Sequence, residues 1–364
     1  MTIFRKVIVW VINLDDIKIR LSKALALAVL LNLVFGLSFY FLERGVQEGL
    51  TIVDSLWWAM VTMTTVGYGD YYAQTLLGRF VVSYASMLTG IGIIGYLVGS
   101  LAETMLERIS KKRRGLMDIS IKDHILICNC PNSDKVNQLV QELRWHVEYR
   151  NLPIVLVTDV FEELPDALGH LNMKFVKGNP TREDVLHKAN VKECSGVFVL
   201  AIDPKDPASD THTFAVGTII EMIESEIDRP IKVVVELISK ANLKMMQRAK
   251  TDGIVLNEGV ADCLLVQEFL YPGVYDIIQQ IISNKVGSQF YIFETKLHGY
   301  KVLDIQKGVL DHPANLQVIG IISQGKHILN PPKELCIEKN DKLIMLAESK
   351  SDFESVENDI INAN

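Results

Sequence analysis

Two apolar stretches limit what this 364-residue chain can fold into. Residues 21–42 read LSKALALAVLLNLVFGLSFYFL, and residues 78–106 read GRFVVSYASMLTGIGIIGYLVGSLAETML. As a helix, each reaches at least about 30 Å, the thickness of a bilayer's hydrocarbon core. Nothing in that core can pair with a bare backbone, so spans of this length have to be helices. No stretch after Ile121 matches either of them. A cleaved signal peptide fits the first stretch poorly, because its apolar core is too long and no small-residue cleavage site comes after it.

Basic residues orient the pair. Arg5, Lys6, Lys18, Arg20 and Lys23 precede or open the first stretch, and Lys111, Lys112, Arg113 and Arg114 follow the second. The segment between has only Arg44 and Arg79, both at its edges. The positive-inside rule then predicts both chain ends in the cytoplasm and the connecting loop outside, in a multi-pass protein of the cell (inner) membrane. Residues 1–20 alternate apolar and basic, with Trp10 as an interface anchor; an interfacial helix and a disordered leader are both open readings there.

The connecting segment carries the chemistry. Residues 51–64 have helical spacing and end at Thr64 to Asp70, T-T-V-G-Y-G-D. A re-entrant helix is tolerated at membrane depth when it is buried in protein or lines water. Its C-terminal dipole end favours a cation. Gly67 and Gly69 adopt backbone angles that other residues resist. Carbonyls of Thr65, Val66, Gly67, Tyr68 and Gly69 can then face one axis and replace the water shell of a potassium ion. One chain supplies one wall of such a tunnel, so four copies are implied. Trp57 and Trp58 are expected to pack around the filter, and Asp70 to bond behind it or sit in the outer vestibule.

In the second stretch, Gly90 to Gly95 spell G-I-G-I-I-G. The match to a dinucleotide fingerprint is spurious, since no strand precedes it and its surroundings are apolar. Close helix packing or a gating bend at Gly90 or Gly92 are the physical alternatives. Glu103 and Glu107 fall near the inner mouth, to concentrate cations or simply as solvated residues.

After Gly115 short apolar runs alternate with helical patterns. Residues 124–130, 153–158, 173–176, 196–202, 231–237 and 253–256 read as strands, with helices over 134–145, 182–189, 212–226 and 240–250. Continuous Val/Ile runs separated by helices predict a parallel, doubly wound sheet. The chain is thereby divided into 1–20, a pore region 21–110, a linker 111–121, an α/β lobe 122–257, a helical pair 258–285 that exchanges between subunits, a small α+β lobe 286–347, and a frayed tail 348–364. Strand candidates in the last lobe are 289–297, 317–323 and 342–346.

Ligands of parallel sheets bind beyond the carboxyl ends of the strands. Those ends offer Asn129, Cys130, Asn132, Ser133, Asp159, Asn179 and Asp203 for a nucleotide, Asp159 standing where a carboxylate takes ribose hydroxyls. Against this, the first loop (N-C-P-N-S) has no glycine and Pro131 lacks an N–H. Asp203, Asp206, Asp210 and Glu236 are the hard oxygens available for calcium. Cys128-x-Cys130 has no second half-site, so buried thiols are expected rather than zinc, with redox sensing at Cys130 left open. A net charge of −7 with no basic stripe beyond the juxtamembrane cluster gives no support to nucleic-acid binding, and no nucleic acid is expected as a partner.

The hairpin with TTVGYGD resembles the pore of prokaryotic two-transmembrane potassium channels. Residues 124–347 are similar to the RCK (regulator of potassium conductance) domain, most closely in GNPTREDVLHKANVKECSGVFVLAID at 178–203. The resemblance implies a two-span α-helical pore with a re-entrant pore helix, a cytoplasmic doubly wound Rossmann-like α/β domain, and a small α+β C-terminal lobe. It implies a homotetramer passing potassium, gated by a ring of RCK domains that binds NAD, an adenine nucleotide or calcium. Some members complete the ring with soluble subunits from internal starts, and Met117 is placed for one. The missing Gly-rich loop and the single Glu236 depart from the nucleotide-binding and calcium-gated patterns, respectively. The alternatives are a membrane-anchored regulator of potassium uptake and an NAD-dependent oxidoreductase. For the latter the C-terminal lobe is small, and His124, His170, His187 and His212 have no evident partners in the sequence.

Overall fold

The structure, a computed structural model, describes residues 17–227, 229–285, 287–348 and 352–362. Most of the interfacial segment expected over residues 1–20 lies outside these. The chain divides into two units, residues 1–112 and 113–364.

The first unit is helical. Helix Ile17–Glu43 contains an apolar span of 25 residues, Ile19–Glu43. A shorter helix, Ile52–Met63, starts on a capping box in which Thr51 and Asp54 bond each other's backbone. The second span runs as one rod from Gly78 to Arg113, opening with a π-helical turn over Gly78–Ser83. Ser83 Oγ donates to Gly78 O at 2.8 Å within that turn. The rod passes the expected end at residue 106 and enters the basic cluster, where Glu107 and Lys111 pair at 2.7 Å one turn apart. Packing between the first span and the short helix uses a missing side chain. A Cβ on Gly36 would lie 2.6 Å from the Leu56 side chain.

The second unit opens with six parallel strands: β1 (His124–Cys128), β2 (Ile154–Thr158), β3 (Lys174–Lys177), β4 (Cys194–Val199), β5 (Lys232–Leu237) and β6 (Gly253–Leu256). Their order is β3-β2-β1-β4-β5-β6. Alternate residues of β1 enter opposite cores. Leu126 and Cys128 join Val216 and Ile220 of helix Ser209–Glu226, while Ile125 and Ile127 join Val136 and Val140 of helix Ser133–Trp145. Both faces are therefore covered, as the Val/Ile runs predict. The helix expected over 240–250 is instead broken into short pieces, Lys240–Asn242, Leu243–Met246 and Gln247–Ala249.

Helices Val260–Leu270 and Val274–Ile282 come next, and neither has a buried residue. The C-terminal lobe is an antiparallel sheet of β7 (Gln289–Glu294), β8 (Leu316–Ser323), β9 (Lys326–Leu329) and β10 (Lys342–Ala347) in the order β7-β10-β8-β9. Helix Val302–Asp311 contributes Val302, Ile305 and Val309 to its core. The expectation of a frayed tail is corrected here. Residues Asp352–Asn362 form a helix, and Phe353, Val356 and Ile360 are buried in the same core. A Cβ on Gly308 would overlap Ile360, so this helix packs without a gap.

Candidate functional site

The short helix Ile52–Met63 ends where the heptad begins, and its last turn anchors the first heptad residues. Val61 O accepts from Val66 N at 3.0 Å and from Gly67 N at 3.4 Å. Thr65, Gly67 and Gly69 have φ of +63°, +58° and +82°. Alternate residues of the heptad are thus left-handed, which turns peptide planes that would alternate in a strand toward a common side. The indole N–H of Trp57 donates to Asp70 Oδ2 at 2.8 Å, and its ring lies parallel to that of Tyr68 at 5.8 Å. Helix and heptad are thereby tied at the heptad's last residue. Trp58, expected beside the filter, is placed elsewhere: it stacks on Phe39 of the first span at 3.8 Å.

Sequence reasoning missed Glu43. It ends the first span fully buried and accepts from Gln74 N at 3.0 Å, Thr75 N at 3.1 Å and Thr75 Oγ1 at 2.7 Å. Gln47 adds a donor to the same carboxylate and another bond to Tyr72 O at 2.9 Å. These N–H groups lie just before the second span's helix, where Thr75 Oγ1 in turn accepts from Gly78 N at 3.0 Å. A Cβ on Gly78 would overlap the Glu43 carboxylate. The available signal was a carboxylate at the end of an apolar span, where such a group needs dedicated partners.

Of the two expected hinge positions, Gly90 packs against the pore helix, where a Cβ would overlap the Met63 backbone. Gly92 faces nothing within 4 Å of where its Cβ would be.

In the parallel sheet the switch point lies between β1 and β4. Asn129 takes φ +70° there, the left-handed step that a glycine would otherwise supply. Its Nδ2 donates to Leu200 O at 2.8 Å and lies 3.5 Å from His212 Nδ1. His212 Nε2 is 3.0 Å from Asn179 Oδ1. That oxygen is an acceptor, so the network assigns the proton to Nε2 and leaves Nδ1 to accept. His212 thus joins the loops after β1 and β3. Burial pushes its pKa down, and the negative charge of Asp159 partly opposes this.

Asn132 caps helix Ser133–Trp145 by accepting from Lys135 N at 2.8 Å, so Ser133 is the helix's first residue. Asp159 and Asp203 are exposed at the ends of β2 and β4. Cys130 is buried with its thiol pushed up to about 11 by desolvation, and Cys194 up to about 12. Cys128 is pushed up as well. Thiols so placed stay protonated and are poor metal ligands or redox sensors.

The structure does not bring the expected calcium ligands together. Asp210 is buried and accepts from Ile238 N at 2.7 Å, Ser239 N at 3.0 Å and Asn242 Nδ2 at 2.8 Å. Glu236 accepts from Ala201 N at 3.0 Å, and Lys135 Nζ and Asn257 Nδ2 close on its other oxygen. Both carboxylates hold the sheet's ends together. Among the described residues no group of three or more His, Cys, Asp or Glu side chains is placed to hold a metal.

Three family models match in succession. Residues 27–107 match one described as an ion channel, and 120–231 match the calcium-activated potassium channel slowpoke-like RCK domain. Residues 258–362 match Castor and Pollux, part of voltage-gated ion channel. The calcium-gated potassium channel TvoK of Thermoplasma volcanium is 25% identical, over 92% of this chain and 93% of its own. A probable potassium channel protein 2 of Methanocaldococcus jannaschii is 21% identical, over 88% of this chain and 92% of its own. The human SLO3 gating ring superposes with a TM-score of 0.51 at 16% identity, over 65% of this chain. The chain spans 46% of that structure, and the likeness there is one of fold. The relatives are channels rather than enzymes, which sets the oxidoreductase alternative aside. With a TTVGYGD-bearing hairpin followed by a Rossmann-like domain and a small antiparallel lobe, the chain is homologous along most of its length to potassium channels that carry an RCK domain.

Proposed function

We propose that four copies of this chain form a potassium-selective pore in the cell's inner membrane, with both ends of each chain cytoplasmic. The RCK domains form a ring beneath it whose ligand-dependent states set the opening. The observation that carries the pore reading is the alternation of left-handed residues at Thr65, Gly67 and Gly69, held by Trp57 and Asp70. Potassium replaces its water with these carbonyls as it passes. Subunits join through helices Val260–Leu270 and Val274–Ile282, whose Leu265, Phe269, Tyr271 and Ile277 are exposed in the single chain. Soluble subunits starting at Met117 would complete the ring.

The gating ligand is an adenine nucleotide or NAD at the switch point. Asn129 supplies the turn that lets a ligand approach, and the exposed carboxylate of Asp159 is free to take a ribose hydroxyl pair. The His212–Asn179 bond ties together the loops that flank this crevice. Such a ligand supplies only differential binding to the two states of the ring, since that difference sets how far opening shifts. Calcium is a second reading, favoured by the calcium gating of the relative TvoK. With Asp210 and Glu236 engaged, it requires carboxylates from more than one copy.

The test is recording from the purified full chain in bilayers, with ADP, NAD and calcium added separately to the RCK side. Potassium over sodium selectivity with a nucleotide-dependent open probability supports the reading. Loss of the nucleotide response in Asp159→Ala, at unchanged conductance, places that carboxylate in the pocket. A channel that passes sodium equally well removes the pore assignment.

A further inference from the structure

The stretch between the second span and β1 has unexpected anchors for a linker. Arg113 O accepts from Leu164 N at 3.0 Å, and Gly115 O accepts from Lys177 N at 2.9 Å. Ile119 N donates to Lys188 O at 2.7 Å, and Asn190 Nδ2 donates to Ile121 O at 2.7 Å. Ile119 and Ile121 also pack against the sheet's core. β3 is an edge strand, so the outward N–H of its last residue, Lys177, would normally face water. Here it is taken by Gly115. That residue is buried at φ +63°, and a Cβ there would lie 2.5 Å from Lys177 N and 2.7 Å from the Phe175 ring. The position admits glycine for two independent reasons, a left-handed backbone and a contact with no room for a methyl group.

We infer that residues 113–121 are a docked strap rather than a free tether, and that Gly115 is the positioning residue through which the strand ends of the ligand crevice act on the helix ending at Arg113. The inference rests on the gating reading above and adds the point of attachment.

The strap's first two partners, Leu164 and Lys177, belong to the rims of that crevice. Leu164 belongs to the loop that begins with Asp159, and Lys177 directly precedes Gly178 and Asn179. Gly178 N donates to Thr158 O at 3.1 Å, so the ends of β2 and β3 move as one. The Lys177 side chain also pairs with Glu162 of the same loop at 2.5 Å. A free tether over residues 111–121 would extend by roughly 35 Å and absorb a small displacement. With Arg113 and Gly115 both fastened, only Arg114 lies between the anchors, and a shift of the β2 and β3 ends reaches the helix without slack.

The test uses the full-length channel. Hydrogen exchange should find the Ile119 and Lys177 amides as protected as those of β1. Exchange at the rate of an unstructured segment overturns the strap. In bilayers, with calcium and ADP each added to the RCK side, Gly115→Ala should cut the probe-dependent change in open probability by at least about fivefold, the scale of a lost coupling. Its unitary conductance and potassium selectivity should match the parent. A full response in this variant overturns Gly115 as the lever. If the parent ignores both probes, the ligand reading fails, and the strap is judged by basal open probability: a shift in Gly115→Ala supports it and none refutes it. Should that variant not assemble, Asn190→Asp removes the donor to Ile121 while keeping a residue tolerant of φ +56°, and is judged by the same criteria.

Discussion

The Trp57 indole nitrogen and the Asp70 carboxylate meet at 2.8 Å, joining the pore helix to the last residue of the heptad across thirteen positions. The same indole lies parallel to the Tyr68 ring, so one side chain fixes the second half of the heptad by a polar and an apolar contact. A hydrogen bond to a charged acceptor contributes about 1.5–3 kcal/mol. Trp57→Phe keeps an aromatic ring, though a smaller one, and loses the donor, so the thermal midpoint in detergent should fall clearly. Asp70→Asn keeps an acceptor and should cost less; an equal or reversed ranking would count against this bond.

Gly67 stands at φ +58° with open space where a Cβ would be, so its constraint is conformational. An L-residue held left-handed costs roughly 1–2 kcal/mol, and four copies would feel it on one axis. Gly67→Ala should relax the carbonyl alignment and lower the potassium-to-sodium permeability ratio. Reversal potentials in mixed salts read this directly, and an unaltered ratio would overturn the filter assignment.

Glu43 is the first span's grip on the start of the second. Glu43→Gln replaces one acceptor oxygen by a donor that faces the N–H groups of Gln74 and Thr75. Each buried group left unpaired costs about 1–3 kcal/mol, so a lower unfolding temperature in detergent is expected. Gly78→Ala should cost stability too, since its methyl group would collide with the same carboxylate. Parent-like melting in both would show the contact to be dispensable.

His212 and His124 both have pKa values pushed below the ordinary 6.5, chiefly by burial. The unfolded chain then binds more protons than the folded one as pH falls below about 6.5. The stability they contribute is present above that value and is lost as pH drops through their folded-state values. For His212 the loss has a visible cause, because a protonated Nδ1 would face the Asn129 amide donor. Chemical denaturation of the channel between pH 7.5 and 5 should show falling stability, with a shallower slope in His212→Gln. An identical slope would leave the bridge without a role.

Cys263 and Cys336 are exposed, and the other three cysteines are buried. Cys263 sits on helix Val260–Leu270, the proposed contact between subunits. A maleimide should label Cys336 in the assembled channel and reach Cys263 only after dissociation. Equal labelling of both in the assembled state would move the interface elsewhere.

What could be read from the residues alone tracks how local the physics is. The heptad states its chemistry in seven consecutive positions, and the strands of the doubly wound sheet, buried on both faces, show as Val/Ile runs. Glu43 meets Thr75 across 32 positions and His212 meets Asn179 across 33, with no periodicity to announce either. Trp58 escapes sequence reasoning because a tryptophan pair has two faces, and only Phe39 decides which one stacks. The terminal helix did carry a signal, Phe353, Val356 and Ile360 at helical spacing, diluted by acidic neighbours. Glu236 reads as a cation ligand in the sequence, since the partner that neutralises it, Lys135, lies 101 positions away.

Helices Val260–Leu270 and Val274–Ile282 carry one further implication. Phe269 is 85% exposed in the lone protomer, amid a run of similarly bare aliphatic neighbours. A copy that finds no mate advertises the kind of greasy surface on which chaperones and proteases act. Abundance in the cell would then depend on mating success rather than synthesis, and a lesion on these helices would register as scarcity before it registered as altered current.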